Sequence, residues 1–122
     1  MRKRWRGGPG RGPGLGLSGL YPLLVLLMIY KGYSHGYEIK RKIEEITGMP
    51  MPAGFIYVTL SRLEASGLVI SSPMLGDPRG KKVYSLTPAG MQMLMIRVNE
   101  LRNLKSLIDK VLEIYESGRE TL

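Results

Sequence analysis

Residues 48–70 read GMPMPAGFIYVTLSRLEASGLVI, and their order decides the fold. Gly48 is a helix stop. Pro50 and Pro52 forbid a helix interior and set a turn. A helix is expected from about Gly54 to Ser66, because Ile56, Leu60 and Leu63 fall at i, i+4 and i+7 on one stripe. Its other side offers Tyr57, Val58, Ser61, Arg62 and Ala65. Gly67 stops this helix, and Leu68-Val69-Ile70 reads as a short strand through its β-branched content.

Upstream, Ser34 is a candidate N-cap for a helix closed by Thr47-Gly48. Tyr37, Ile39, Ile43 and Ile46 form its apolar side, and Lys40, Arg41, Lys42, Glu44 and Glu45 its polar side. Before it, residues 20–30 read LYPLLVLLMIY, eleven apolar positions that fall short of the roughly 20 needed to span a bilayer. They are expected to form a helix buried on most sides, capped by Ser18, with Pro22 in its first turn and Lys31-Gly32 at its end.

Downstream, residues 71–80, SSPMLGDPRG, are turn formers, and Lys81 to Leu86 reads as a second strand. The pair predicts an antiparallel hairpin with a long basic tip. Thr87-Pro88 starts a last helix, with threonine at the N-cap and proline at the first helical position. Its stripe of Met91, Leu94, Val98, Leu101, Leu104, Ile108, Val111 or Leu112, and Tyr115 steps mostly by three and four, up to the stop at Gly118. About thirty residues span roughly 45 Å at 1.5 Å each, beyond the roughly 26 Å diameter of a 100-residue domain. The projecting stripe needs a partner, and a second copy of the chain is the simplest. The alternative is that the helix folds back over its own core.

The order is helix, helix, helix, strand, basic loop, strand, long helix. The fold class is mainly α with a small antiparallel β-hairpin: a winged helix-turn-helix plus a long C-terminal dimerisation helix. An α-helix fits the major groove of DNA, and Arg79, Lys81 and Lys82 at the hairpin tip are placed to touch phosphates beside it. The expected division is a basic Gly/Pro-rich flexible arm over 1–17, the DNA-binding domain over 18–88, the dimerisation helix over 89–118 and a tail over 119–122.

Composition agrees in part. The 122 residues hold 18 Lys plus Arg against 10 Asp plus Glu, a net charge of +8, with no cysteine and one histidine. Disulfides, thiolate metal sites and cysteine nucleophiles are excluded, and a histidine-rich metal site is disfavoured. Five of the bases, Arg2, Lys3, Arg4, Arg6 and Arg11, stand in residues 1–19, which contain no acid. The remaining chain has 13 bases and 10 acids, so only +3. No phosphate-cradling loop and no nucleophile–base pair is present, so an enzyme is the weakest reading and no cofactor is expected. The location expected is cytoplasmic, with no membrane partner.

Specific segments resemble the PadR family of transcriptional regulators. They are His35-Gly36-Tyr37-Glu38-Ile39, Gly54, Tyr57 with Leu60, Arg62-Leu63-Glu64, Gly67-Leu68, and Lys82-Val83-Tyr84-Ser85-Leu86-Thr87 with Gly90. The resemblance covers residues 20–90 and rests on joint order and spacing. It implies a dimeric repressor of a nearby operon, acting on double-stranded DNA and often relieved by a small-molecule effector. A single C-terminal helix resembles the short subfamily, in which that helix supplies most of the dimer contact. Two departures stand out. Val58 replaces a proline that commonly follows the tyrosine matched by Tyr57, and Phe55 replaces a common serine or threonine. Base preference is therefore not carried over.

The candidate DNA-binding residues are Tyr37, Gly54, Phe55, Tyr57, Val58, Ser61, Arg62, Arg79, Lys81 and Lys82. The candidate dimer residues are Leu94, Val98, Leu101, Leu104, Ile108, Leu112 and Tyr115. Each has a plainer alternative. Tyr37 packs with Ile39 and Ile43, Phe55 joins the core, Arg62 pairs with Glu64, and Lys40 to Lys42 form a salt-bridged face. His35 caps or packs. Met28, Met91, Met93 and Met95 line an adaptable pocket or are core. Two other function classes remain: a winged-helix interaction adaptor, and a chromatin-like protein that binds DNA non-specifically through its arm.

Overall fold

A computed structural model of the chain describes residues 17–119. Nearly all of the expected arm, and residues 120–122 of the tail, lie outside them. The elements are α1 (Leu17–Tyr30), α2 (Gly36–Thr47), α3 (Phe55–Ala65), β1 (Val69–Pro73), β2 (Lys82–Leu86) and α4 (Pro88–Glu116). The strands form a two-stranded antiparallel sheet, with Val69 opposite Leu86 and Pro73 opposite Lys82. No helix among the described residues is long and apolar enough to cross a membrane.

Helix α1 is the centre of the core, which explains its nearly continuous apolar sequence. Leu23, Val25, Leu26, Met28 and Ile29 are buried against Ile39 and Ile43 of α2 and Ile56, Leu60 and Leu63 of α3. Val69, Tyr84 and Leu94 close the cluster from the hairpin and α4. Each fully buried aliphatic side chain contributes about 1.5–3 kcal/mol, against about 0–1 kcal/mol for an exposed ion pair. Core burial therefore holds these helices together, and the charged face of α2 adds little.

Four local expectations need correction. Helix α1 begins at Leu17, so Ser18 lies inside it and Pro22 is its sixth residue rather than a first-turn proline. Burial of α1 on several sides offsets the missing backbone bond. His35, not Ser34, is the N-cap of α2, and its side chain makes no capping bond. The Ser34 carbonyl instead accepts from Tyr84 N at 2.9 Å, tying the start of α2 to the outer edge of β2. Ile46 and Tyr37 fall off the buried stripe of α2 and are exposed. Finally, β1 runs to Pro73, so the hairpin connection spans residues 74–81.

The helix stops behave as expected. Gly48 caps α2 in the left-handed region at φ 71°, where a Cβ is penalised. Thr87 caps α4, its hydroxyl accepting from Gly90 N at 3.0 Å. The same hydroxyl donates to the Gly67 carbonyl at 2.6 Å, and Thr87 N donates to the Leu68 carbonyl at 3.1 Å. A Cβ on Gly90 would run into that Leu68 carbonyl. Gly67, Leu68, Thr87 and Gly90 are thus one backbone joint that fixes α4 onto the end of α3.

Candidate nucleic-acid interface

Three pieces meet around an open cleft of about 610 Å³: the start of α2, the outer face of α3 and the hairpin tip. Each is fixed by a specific bond. Ser71 Oγ of β1 donates to Glu64 Oε2 of α3 at 2.8 Å, holding the hairpin against the helix. The bond from Tyr84 N to the Ser34 carbonyl holds β2 against α2. The turn between α2 and α3 is held by Glu44, whose Oε2 accepts from Met51 N at 2.7 Å and from Lys40 Nζ at 3.1 Å. These donors, the Met51 amide above all, keep the Glu44 carboxyl below its ordinary range.

The hairpin tip is structured rather than open. Met74 N donates to the Lys81 carbonyl at 2.8 Å, and backbone bonds run from Asp77 N to Met74 O and from Gly80 N to Asp77 O. Gly76 and Gly80 take φ of 80° and 72°. The Asp77 side chain is only 9% exposed; its Oδ1 accepts from Arg79 N at 2.8 Å, shaping the turn, and lies 3.6 Å from Arg79 Nε in an ion pair. Lys81 and Lys82 are exposed and form no ion pair among the described residues.

On α3, Tyr57, Val58, Ser61 and Arg62 are all exposed, one continuous face opposite the buried Ile56, Thr59, Leu60 and Leu63. Arg62 does not pair with Glu64, which Ser71 engages, so its guanidinium stays available. Tyr57 turns toward α2, and a Cβ on Gly36 would meet its ring at 2.6 Å. Phe55 is 37% exposed and packs edge-on against Tyr21 at 5.4 Å, joining α3 to α1. Gly54 is the N-cap of α3. Tyr37 is 59% exposed and lies under the Arg41 guanidinium at 5.9 Å, not against Ile39 and Ile43.

Of the sequence-selected residues, Tyr37, Tyr57, Ser61, Arg79, Lys81 and Lys82 line the cleft together. Gly54, Phe55, Val58 and Arg62 do not line it. Gly36 and Tyr84 also line it, although nothing in the sequence pattern singled them out as site residues. Tyr84 is 8% exposed, and burial, then Glu64, then Tyr57 raise its pKa, so its hydroxyl stays protonated. His35 is engaged locally, its Nδ1 lying 3.2 Å from Glu38 Oε1. The α2 charges form the expected solvated face, with Lys40–Glu44 and Lys42–Glu45 pairs. Glu45 raises the Lys42 pKa.

The second candidate surface is α4. Leu94 is 4% exposed and belongs to the domain's own core, which takes it out of any free stripe. Val98 is partly buried against that core. Leu101 and Leu104 border an apolar groove between α1 and α4, which Leu20, Pro22, Leu23 and Met93 also line. Beyond it Leu107, Ile108, Val111, Leu112 and Ile114 are exposed, and Tyr115 is 82% exposed. The four methionines do not gather into a pocket: Met28 is core, Met91 packs partly against it, Met93 lines the groove and Met95 is exposed.

Residues 20–95 match the transcriptional regulator PadR-like family. A transcriptional regulator of Mycobacterium tuberculosis is 40% identical over 78 residues, 64% of this chain and 69% of that protein. A 37.1 kDa protein in a transposon of Streptomyces fradiae is 33% identical over 86 residues, 70% of this chain but only 24% of that protein. Among solved structures, a PadR family transcription regulator from Clostridium difficile superposes with a TM-score of 0.69 at 28% identity, covering 77% of this chain and 99% of that one. The winged helix-turn-helix architecture and the matched motifs agree with these comparisons, and the chain belongs to the PadR-like family of transcriptional regulators.

Proposed function

We propose that the protein binds double-stranded DNA sequence-specifically, as a homodimer on a palindromic operator, and represses transcription by occupying it. One observation carries this reading: Tyr57 and Ser61 on the exposed face of α3 and the cations Arg79, Lys81 and Lys82 of the hairpin tip border one open cleft. In that geometry α3 enters the major groove with Tyr57, Val58, Ser61 and Arg62 toward base edges, while Arg79, Lys81 and Lys82 neutralise flanking phosphates. The homodimer is supported by α4. Its 29 residues span about 43 Å, and its outer half leaves a run of apolar side chains exposed beside the α1–α4 groove.

The test is a mobility shift on the DNA upstream of the protein's own gene, at moderate salt, against random duplex as competitor. The expected result is a preference for the upstream duplex of about a thousandfold or more. Equal affinity for both duplexes would sink sequence-specific regulation and favour the chromatin-like reading.

A further inference from the structure

The DNA contacts proposed above leave most of the chain's net charge unused. Residues 1–16, which precede the described residues, read MRKRWRGGPGRGPGLG. Arg2, Lys3, Arg4, Arg6 and Arg11 give them +5 of the net +8, with no acid among them. From Gly7 to Gly16 every residue is glycine or proline except Arg11 and Leu15. Arg11 stands between Gly10 and Gly12, with Pro9 and Pro13 beyond them. Such a stretch is little wider than bare backbone, with one guanidinium to project from it. The minor groove of DNA is about 6 Å wide and narrower still in A·T tracts, too tight for a helix but open to a thin chain. A·T pairs present only acceptors on its floor, whereas G·C adds the guanine amino donor. A guanidinium offers five donors and no acceptor, so it suits A·T and is opposed by guanine. The enhanced negative potential of a narrow A·T groove draws arginine further.

The fold puts the root of this stretch beside the helix assigned to the major groove. Tyr21 of α1 packs edge-on against Phe55, the first residue of α3, at 5.4 Å. The chain enters α1 at Leu17, about 6 Å of helix before Tyr21. From Leu17, an extended chain brings Arg11 up to roughly 20 Å away and Arg6 up to roughly 37 Å. A minor groove lies about half a DNA turn, or about 17 Å, from the centre of the neighbouring major groove. Among the described residues nothing acidic at the root competes. Helix α1 has no charged residue, and Glu100, which borders the α1–α4 groove with Gly19, pairs with Arg97 at 2.9 Å.

We infer that residues 2–13 enter the minor groove flanking each α3 half-site, with Arg11 on its floor, and select A·T pairs there. The inference rests on the DNA reading above and adds a second place of base selection to it. Helix α3 and the arm then read different grooves of one duplex. The arm contributes specificity as well as charge, unlike a chromatin-like arm that follows phosphates without regard to sequence.

The experiment uses the full chain and a duplex that the wild-type protein selects from a random library. The selected duplexes should carry A·T pairs flanking each half-site. Those pairs are then replaced by G·C, or by inosine·cytosine, which resembles G·C in the major groove but lacks the amino group in the minor groove. Wild type should lose about tenfold or more on G·C flanks and less than about twofold on inosine·cytosine flanks. Arg11→Ala should bind all three duplexes within about twofold of one another. Adenine N3 atoms in the flanks should be protected from methylation by wild type and not by Arg11→Ala. Flanks of random composition, or equal losses on G·C and inosine·cytosine, would overturn the inference and leave binding through α3 intact. So would an Arg11→Ala protein that keeps the wild-type pattern, because the reader would then lie elsewhere in the chain. The comparison of flanks in wild type needs no variant, so it is decisive even if Arg11→Ala fails to fold. A wild type that selects no duplex would remove the DNA reading itself.

Discussion

Replacing Gly90 with alanine tests the joint that fixes α4 to the domain. The added Cβ would enter the space held by the Leu68 carbonyl, which is also the acceptor for Thr87 N at 3.1 Å. The start of α4 must then lift from the end of α3. That movement breaks the Thr87 N bond and the 2.6 Å bond from Thr87 Oγ1 to the Gly67 carbonyl, at about 1 kcal/mol each. Overpacking strain adds about 1–3 kcal/mol, and the better helix propensity of alanine returns up to about 1 kcal/mol. The net expectation is a loss of about 2–4 kcal/mol. Urea unfolding followed by far-UV circular dichroism, at fixed protomer concentration, should show the midpoint lowered by about 1–2 M. Thr87→Val removes the cap and the Gly67 bond, at a cost of about 2 kcal/mol. Because both substitutions act through one joint, the double variant should lose less than the sum by at least about 0.5 kcal/mol. A Gly90→Ala protein within about 0.5 kcal/mol of wild type, or strict additivity, would refute the joint.

Neutralising Lys81 and Lys82 to glutamine should weaken binding to all duplexes alike. It should also lower the slope of log affinity against log salt by about 0.9 for each phosphate no longer neutralised. An unchanged slope would favour an adaptor role for the hairpin. Because the Glu44 carboxyl is held below its ordinary value of 4.5, its contribution to stability is complete above that pH and lost as pH falls through the folded value. Glu44→Gln should therefore lower stability at neutral pH and flatten this acid loss, as seen in unfolding midpoints measured across pH. Ile108→Asp with Leu112→Asp places charges on the exposed outer stripe of α4. Sedimentation should then find the double variant monomeric with an unchanged circular dichroism spectrum, and a persistent dimer would locate the interface elsewhere.

The elements were legible because their signals are local. Gly48 and Gly67 end helices where they stand, Thr87-Pro88 begins one, and Ile56, Leu60 and Leu63 mark the buried side of α3. Pairings across the chain were less legible. Tyr84 is ordinary in a strand pattern, and its place in the cleft depends on a bond to Ser34, far upstream in the chain. The same long-range bond takes up the Ser34 carbonyl, leaving His35 as the N-cap. Leu94 and Ile108 share one helical stripe, yet one meets the core and the other extends past it, which periodicity alone does not distinguish. Gly90 shows the reverse case. The motif was visible, but its reason, the approach of the Leu68 carbonyl, emerges only in three dimensions.

The central claim is that two copies place two α3 helices in successive major grooves of one operator. Hydroxyl-radical footprinting of the wild-type complex on the upstream DNA tests it most directly, with stoichiometry from sedimentation of the same sample. The expected result is two protein chains per duplex and two symmetric protected patches whose centres lie about 34–36 Å apart, one helical turn of DNA. A single patch with one chain bound, or protection spread evenly along the duplex, would contradict it.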